Sequence, residues 1–348
     1  MTATIMNVEN VSKRFEQRLM LGEHIAAWLR GRRAHAPTLL AVDCVNLPIR
    51  KGEVLGLVGE SGCGKSTLAR IMTGILPPTE GCVTLEDQPL MTSGRRPRKI
   101  GRRVQMVFQN PFSSLNPRMR IGKAISEGPV AHGLVARAGA AVYASDWLSR
   151  VGLDRGYATR YPHQFSGGQR QRIAIARALA MRPDVLVCDE PVASLDVSIQ
   201  AQIVNLFLRL RLDLSLTMLF ISHDLGVVRH LCDRVAVMYL GRIVEIADTA
   251  ALYRKPLHPY TRALLDSVPK LRVGETAAEI QVITGEIPSL VSPPSGCHFH
   301  TRCRFAVERC SREVPLFRNL GDGRWVACHL VHTADDSIEK ERGSQCSI

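Results

Sequence analysis

The string Gly59-Glu60-Ser61-Gly62-Cys63-Gly64-Lys65-Ser66-Thr67 fits the pattern G-x-x-x-x-G-K-[ST] and constrains the fold more than any other segment. Such a loop works only where a buried strand delivers it and a helix leaves it. Val54–Val58 supplies an apolar run ending at Gly59, and residues 66–72 can open a helix. Gly59, Gly62 and Gly64 let backbone N–H groups turn inward toward phosphate oxygens, because glycine tolerates positive φ. The helix N-terminus adds a favourable partial charge. Lys65 supplies a point charge to the β- and γ-phosphates, worth roughly 4 kcal/mol at about 4 Å and an effective dielectric near 20 before desolvation. Ser66 brings a hydroxyl for Mg²⁺. The loop, with Glu60, Ser61, Cys63 and Thr67 completing it, is expected to hold ATP.

Around the loop the chain reads as α/β. Strands are expected at Ile5–Val11, Leu39–Leu47 and Glu53–Val58, the first two separated by a polar, basic insertion from Glu16 to Pro37. The centre of that insertion, Leu21–Leu29, has mildly helical spacing and is assigned no role. The stretch from about Asn110 to Arg182 is mostly helical in pattern, with Asn110-Pro111 and Asn116-Pro117 as turn signals. From Asp184 the alternation resumes: strands Val185–Cys188 and Thr217–Ser222, helices near Val197–Leu212 and Leu225–Cys232, then strands Val235–Leu240 and Arg242–Ala247 meeting at Gly241. After about Lys255 prolines become frequent, which marks a boundary into an irregular tail. The 348 residues hold one large domain, residues 1–254, and a smaller region, 255–348, with no internal repeat.

Apolar content of 45% and charged content of 22% are those of an ordinary globular protein. The longest apolar runs, such as Val54–Val58 and Leu216–Ile221, are too short to span a bilayer, and no secretory signal is visible in MTATIMNVEN. A cytosolic placement is therefore expected. The net charge of +13, concentrated at Arg30–Arg33 and Arg95–Arg103, suits solvated loops, an anionic membrane surface or nucleic acid. Of ten cysteines, Cys44, Cys63, Cys82, Cys188, Cys232 and Cys346 are scattered, while Cys297, Cys303, Cys310 and Cys328 crowd into the tail. A cytosolic chain argues against reading them as disulfides.

A second glycine string, Phe165-Ser166-Gly167-Gly168-Gln169, precedes a run of good helix formers, Gln169–Ala180. That is a second helix N-terminus able to hold an anion, more than one triphosphate needs. Val185-Leu186-Val187-Cys188-Asp189-Glu190 is an apolar strand ending in two carboxylates. Together these strings resemble ATP-binding cassette (ABC) ATPases. The resemblance implies a P-loop (RecA-like) core with an antiparallel β subdomain and a helical signature subdomain at about 110–182. It gives Ser66, Asp189 and Gln109 (in Met106-Val107-Phe108-Gln109) to Mg²⁺. Glu190 would orient the attacking water; a free glutamate, with a pKa of about 4.3, is a weak base at pH 7, so positioning matters more than proton abstraction. His223, in Ile221-Ser222-His223-Asp224, would contact the γ-phosphate, and Phe15 would stack on adenine. Ser166, Gly167, Gly168 and Gln169 would contact ATP held by a partner subunit, and Asp196 in Ser194-Leu195-Asp196 would lie in the loop crossing that interface. Two ATPs would then be sandwiched in a head-to-tail C₂ dimer. Phe165 replaces the family's usual leucine.

Phe108-Gln109-Asn110-Pro111 with Ser114-Leu115-Asn116-Pro117-Arg118-Met119 is similar to oligopeptide/dipeptide importer ATPases. So are His258-Pro259-Tyr260-Thr261, Thr284-Gly285-Glu286-Ile287-Pro288-Ser289-Leu290 and the tail Gly296-Cys297-His298-Phe299-His300-Thr301-Arg302-Cys303 with Cys310 and Val326-Ala327-Cys328-His329. Arg304 stands where a proline is frequent. The resemblance implies two membrane permease subunits, a second identical or homologous ATPase, an indirect solute-binding partner, and a place at the cytoplasmic face of the bacterial inner membrane. Nucleic acid is not expected. The spacing C-x5-C-x6-C-x17-C fits neither a plain zinc ribbon nor a ferredoxin run. A [4Fe–4S] cluster, a structural Zn²⁺ or free thiols are its three readings, the cluster leading. The alternative function is a soluble ABC ATPase acting on DNA. Against it, only a hundred residues separate Ser66 from Ser166, too few for a long coiled-coil insertion.

Overall fold

The computed structural model describes residues 3–16, 38–92, 94, 99, 101–267 and 285–333. Residues 17–37, with the Leu21–Leu29 segment and the Arg30–Arg33 cluster, lie outside the described residues, as do Arg95, Arg96, Arg98 and Cys346.

Strands β1 (Thr4–Glu16), β2 (Thr38–Arg50), β4 (Glu80–Leu85) and β5 (Gln88–Pro89) form an antiparallel layer in the order β2-β1-β4-β5. Its inner face, with Met6, Val8, Leu47 and Ile49 fully buried, packs on Leu68, Ile71 and Met72 of helix α1 (Lys65–Met72).

The second sheet has eight strands. Its parallel part is β3 (Val54–Val58), β6 (Val104–Val107), β7 (Val185–Asp189), β8 (Thr217–Ile221) and β9 (Arg234–Tyr239). All five residues of β3, β7 and β8 are buried, as strands covered on both faces must be, which accounts for their unbroken apolar runs. Strand β10 (Arg242–Asp248) turns back antiparallel to β9. Beyond it, the tail expected to be irregular adds β11 (Arg318–Asn319) and β12 (Trp325–Val326), giving the order β11-β12-β10-β9-β3-β8-β7-β6. Strands of two residues leave no periodic trace in a sequence, so this pair is not legible there.

The register decides where the site lies. Leu57 sits beside Ile221 and Ala236, Asp189 beside Ile221, and Val107 beside Cys188. The C-terminal ends of β3, β8, β7 and β6 therefore finish along one edge, where an open parallel sheet binds its ligands.

The segment expected to be helical contains α2 (Pro111–Ser114), α3 (Ile121–Ala131), α4 (Ala140–Arg150) and α5 (Gly167–Ala180). They close on Ile125, Trp147, Leu148, Phe165 and Ile173. Phe165 is buried and meets Tyr157 edge-on at 5.3 Å between ring centroids, so the aromatic replacement has a partner of its own. Helices α6 (Val197–Leu214), α7 (Leu225–Leu231), α8 (Thr249–Arg254), α9 (Pro259–Asp266) and α10 (Glu308–Arg312) complete the fold.

Candidate nucleotide site

Gly59, Gly62 and Gly64 all have positive φ, at 155°, 79° and 108°. The last position also faces β2: a Cβ on Gly64 would stand 2.2 Å from the Ala41 carbonyl oxygen, so no other residue fits there. Gly64 caps α1, and Lys65 turns back across the loop it ends. Its Nζ donates to the carbonyls of Gly59 at 2.8 Å and Glu60 at 2.9 Å, drawing the loop into a ring around the ammonium. Cys63 is buried 3.9 Å from that Nζ, and burial raises its thiol above the ordinary range. Ser61 lies exposed on the loop and Thr67 half-buried behind it.

Ser66 Oγ donates to Asp189 Oδ1 at 3.0 Å, joining the start of α1 to the end of β7. Asp189 is buried, and desolvation pushes its carboxyl upward against the opposing hydrogen bond from Ser66. A hydroxyl beside a carboxylate is an all-oxygen donor set of the kind Mg²⁺ takes, and a cation would favour the ionised form that burial disfavours.

Glu190 has φ of 45°, and its N–H is held by the Ile221 carbonyl at 3.1 Å. Its Oε2 accepts from Gln109 Nε2 at 2.8 Å and lies 3.5 Å from His223 Nδ1. Three elements thus bring one side chain each to a single oxygen: Gln109 two residues past β6, Glu190 one past β7, His223 two past β8. The side-chain amide of Gln109 bonds to Glu190 and not to the Ser66–Asp189 pair. Asp224, next in the chain after His223, anchors the backbone there by capping α7. Its Oδ1 accepts from the N–H groups of Gly226 and Val227 at 2.8 and 3.1 Å.

Ser166 is the N-cap of α5. Its hydroxyl accepts from the Gln169 N–H at 3.4 Å, and Gln169 Oε1 accepts from the Ser166 N–H at 3.1 Å, a reciprocal capping box. A Cβ on Gly168 would stand 2.6 Å from Ile199 Cγ2, so the signature helix rests directly on α6, while Gly167 lies near Leu195. Asp196 is exposed at the head of α6, next to Val197, which is 82% exposed. Phe15 lies near the end of β1, partly exposed, with Lys13 Nζ 5.3 Å from its ring centroid.

The four tail cysteines converge. Cys297 N–H donates to the Cys310 carbonyl at 2.8 Å, and Cys297, Cys303 and Cys310 lie near enough to Cys328 to add to the raising of its thiol. Burial pushes the Cys303 thiol up to about 11 and Cys328 up to about 12, and raises Cys297 as well. Among the described residues no group of three or more His, Cys, Asp or Glu is placed to hold a metal ion. That gives no support to the [4Fe–4S] cluster or Zn²⁺ expected there.

Two side chains from the C-terminal region touch the loop: Tyr260 Oη accepts from the Glu60 N–H at 2.9 Å, and the Arg302 guanidinium clasps the Glu60 carboxylate at 2.8 and 3.0 Å. Both stand in strings shared with the importer ATPases, but spacing carries no hint of their contact with the loop.

Loop, paired carboxylates and capped glycine string, on a parallel sheet flanked by an antiparallel layer and a helical subdomain, define an ABC ATPase. Residues 42–193 match the ABC transporter family, and residues 244–310 match the C-terminal region of oligopeptide/dipeptide transporters. The chain is 49% identical over 293 residues to "Oligopeptide transport ATP-binding protein AppF" of Bacillus subtilis, covering 83% of this chain and 89% of that one. It is 45% identical over 333 residues to "Probable peptide ABC transporter ATP-binding protein y4tS" of Sinorhizobium fredii, covering 95% and 91%. The post-hydrolysis dimer of the ATP-binding cassette MJ0796 with ADP and Pi superposes with a TM-score of 0.57 at 25% identity, covering 70% of this chain and 99% of that one. The chain belongs to the ATP-binding subunits of oligopeptide/dipeptide ABC transporters. Among the described residues no helix is long and apolar enough to cross a membrane.

Proposed function

We propose that this chain hydrolyses ATP in a head-to-tail ATPase dimer and so powers import of peptides or related solutes through two membrane permease subunits. The observation that carries the reading is the meeting of Gln109, Glu190 and His223 at one carboxylate oxygen, on the sheet edge that also holds Lys65 and the Ser66–Asp189 pair. Lys65 and the loop N–H groups bind the phosphates, and Phe15 takes the adenine face. Ser66 and Asp189 would hold Mg²⁺, which supplies charge neutralisation to the phosphates. Glu190 orients a water for in-line attack, with Gln109 fixing the carboxylate and His223 stabilising charge on the transferred phosphoryl group. Ser166, Gly167, Gly168 and Gln169 present a helix N-terminus to the partner's ATP, beside the Asp196 loop. Loss of the γ-phosphate removes what bridges the two subunits, and the dimer opens.

The names borne by AppF and y4tS, together with the match over residues 244–310, support peptides as cargo; nickel chelates, glutathione-like and opine-type compounds are the related solutes that this reading includes. A cleft of about 430 Å³ between β6 and α3 is lined by Lys99, Gln105, Phe108, Glu127 and Arg177, and we assign to it the docking of the permeases at the cytoplasmic face of the inner membrane. A solute-binding protein would act through those permeases, and the second ATPase is identical or homologous. The cysteine set stands apart from this chemistry, as a candidate [4Fe–4S] or Zn²⁺ ligand set; iron, sulfide and zinc determination on anaerobically purified protein tests it, and absence of both iron and zinc would sink the ligand reading. The function itself is tested by reconstituting the chain with its permeases in vesicles and following labelled peptide uptake. ATP-dependent uptake lost in Glu190→Gln is expected. ATPase activity stimulated by DNA, with no permease binding, would contradict it.

A further inference from the structure

Every polar group of Glu60 is engaged. Its carbonyl accepts from Lys65 Nζ at 2.9 Å, its N–H goes to Tyr260 Oη, and its carboxylate takes both terminal nitrogens of Arg302. Tyr260 and Arg302 lie 200 and 242 residues further along the chain, both in the C-terminal region. Neither is loosely held. Tyr260 is fully buried, and its ring packs on Tyr239 and Phe299 at centroid distances of 4.6 and 5.4 Å. The Arg302 side chain is 5% exposed and also reaches Tyr239 Oη at 3.4 Å. The residue that carries a carbonyl for the phosphate-binding lysine is thus clamped from outside the nucleotide domain.

We propose that Tyr260 and Arg302 are positioning residues for the phosphate loop, and that through Glu60 the C-terminal region sets the loop's affinity for the nucleotide. A bidentate guanidinium–carboxylate pair fixes orientation as well as distance. With Glu60 held, the loop keeps its ring of carbonyls around Lys65, and the N–H groups behind it face the phosphates without a further ordering cost. Coupling of this kind is reciprocal: what the C-terminal region does for MgATP, MgATP does for the C-terminal region. The inference rests on the nucleotide reading above and goes beyond it, because no part of that reading gives the tail a role in binding ATP.

The test uses the full-length chain, with displacement of a fluorescent N-methylanthraniloyl-ATP by MgATP and steady-state ATPase kinetics. Arg302→Met and Glu60→Gln should each raise Kd and KM by roughly tenfold while kcat changes by less than about threefold, within the usual range of coupling. The double variant should be no weaker than the worse single one, as partners in one contact are non-additive. Arg302→Lys, which keeps charge but loses the two-pronged geometry, should fall between. On the wild type, MgATP should slow hydrogen exchange at amides 299–305. A merely structural pair would lower the melting temperature and leave Kd and KM unchanged, and that result overturns the proposal. If Arg302→Met does not fold, Arg302→Lys and the exchange experiment decide, absence of both effects overturning it. A wild type that fails to bind MgATP would overturn the nucleotide reading itself, whereas normal binding with unchanged variants overturns this inference alone.

Discussion

At the scale of single residues, the site depends on one carboxylate serving two neighbours. Glu190 Oε2 is shared by the Gln109 amide and the His223 ring, so removing either frees the carboxylate to rotate. His223→Ala is expected to lower kcat about a hundredfold with a small change in KM, the size of a lost positioned charge-stabilising group. An unchanged kcat in a steady-state phosphate-release assay would remove His223 from the reaction. Asp189→Asn should weaken Mg²⁺ binding, read as a large rise in the Mg²⁺ concentration needed for half-maximal turnover. Much of this site is legible in sequence, since Gln109, Glu190 and His223 each sit one or two positions past a parallel strand and carry their own motifs. Tyr260 and Arg302 are not, because a contact across 200 residues or more leaves no spacing to read.

At the scale of elements, helix starts and edges carry the specificity. The α5 N-terminus is organised by its own capping box, which fixes Ser166 and Gln169 against each other within one chain. Ser166→Arg should leave MgATP binding to the isolated chain within about twofold, and prevent closure of the dimer by placing bulk where the partner's phosphates approach; loss of binding in the monomer would contradict the in-trans role. Gly168→Val should cost on the order of 1–3 kcal/mol in a denaturant titration, since Ile199 already fills the space a side chain would need. The α9 cap adds a pH dependence. His258 is buried, its Nδ1 accepts from the Tyr260 N–H at 3.0 Å, and desolvation lowers its pKa from 6.5 to about 3. The unfolded chain binds that proton first, so this contribution to stability is present above pH 6.5 and is lost as pH falls from 6.5 toward 3. Glu245, whose carboxyl burial raises and which accepts from the N–H groups of Leu257 and His258, acts in the opposite direction. The difference in melting temperature between wild type and His258→Gln isolates the histidine: it should shrink as pH falls from about 7 to about 5, and a constant difference would contradict its titration.

At the scale of the whole molecule, the boundary near residue 255 is a change in sequence character and not a break in the structure. Strand β12 pairs with β10, the Ala327 N–H reaches the Val244 carbonyl at 2.9 Å, and fully buried Glu245 meets Arg324 at 3.4 Å. Composition can place the boundary because prolines and cysteines accumulate there. It cannot show that the tail finishes the nucleotide domain's own sheet, since pairing across a sheet edge is decided by tertiary contact. Truncation after Arg254 should therefore yield an aggregation-prone cassette with weakened ATP binding, checked by light scattering and nucleotide titration, because it uncovers the β10 edge and removes both clamps on Glu60. The central claim, that this chain is an ATPase whose Glu190 positions the attacking water, is tested most directly by measuring MgATP binding and turnover of Glu190→Gln in one preparation. Binding within about twofold of wild type and turnover reduced at least about a hundredfold is the predicted result. Turnover equal to wild type would contradict it.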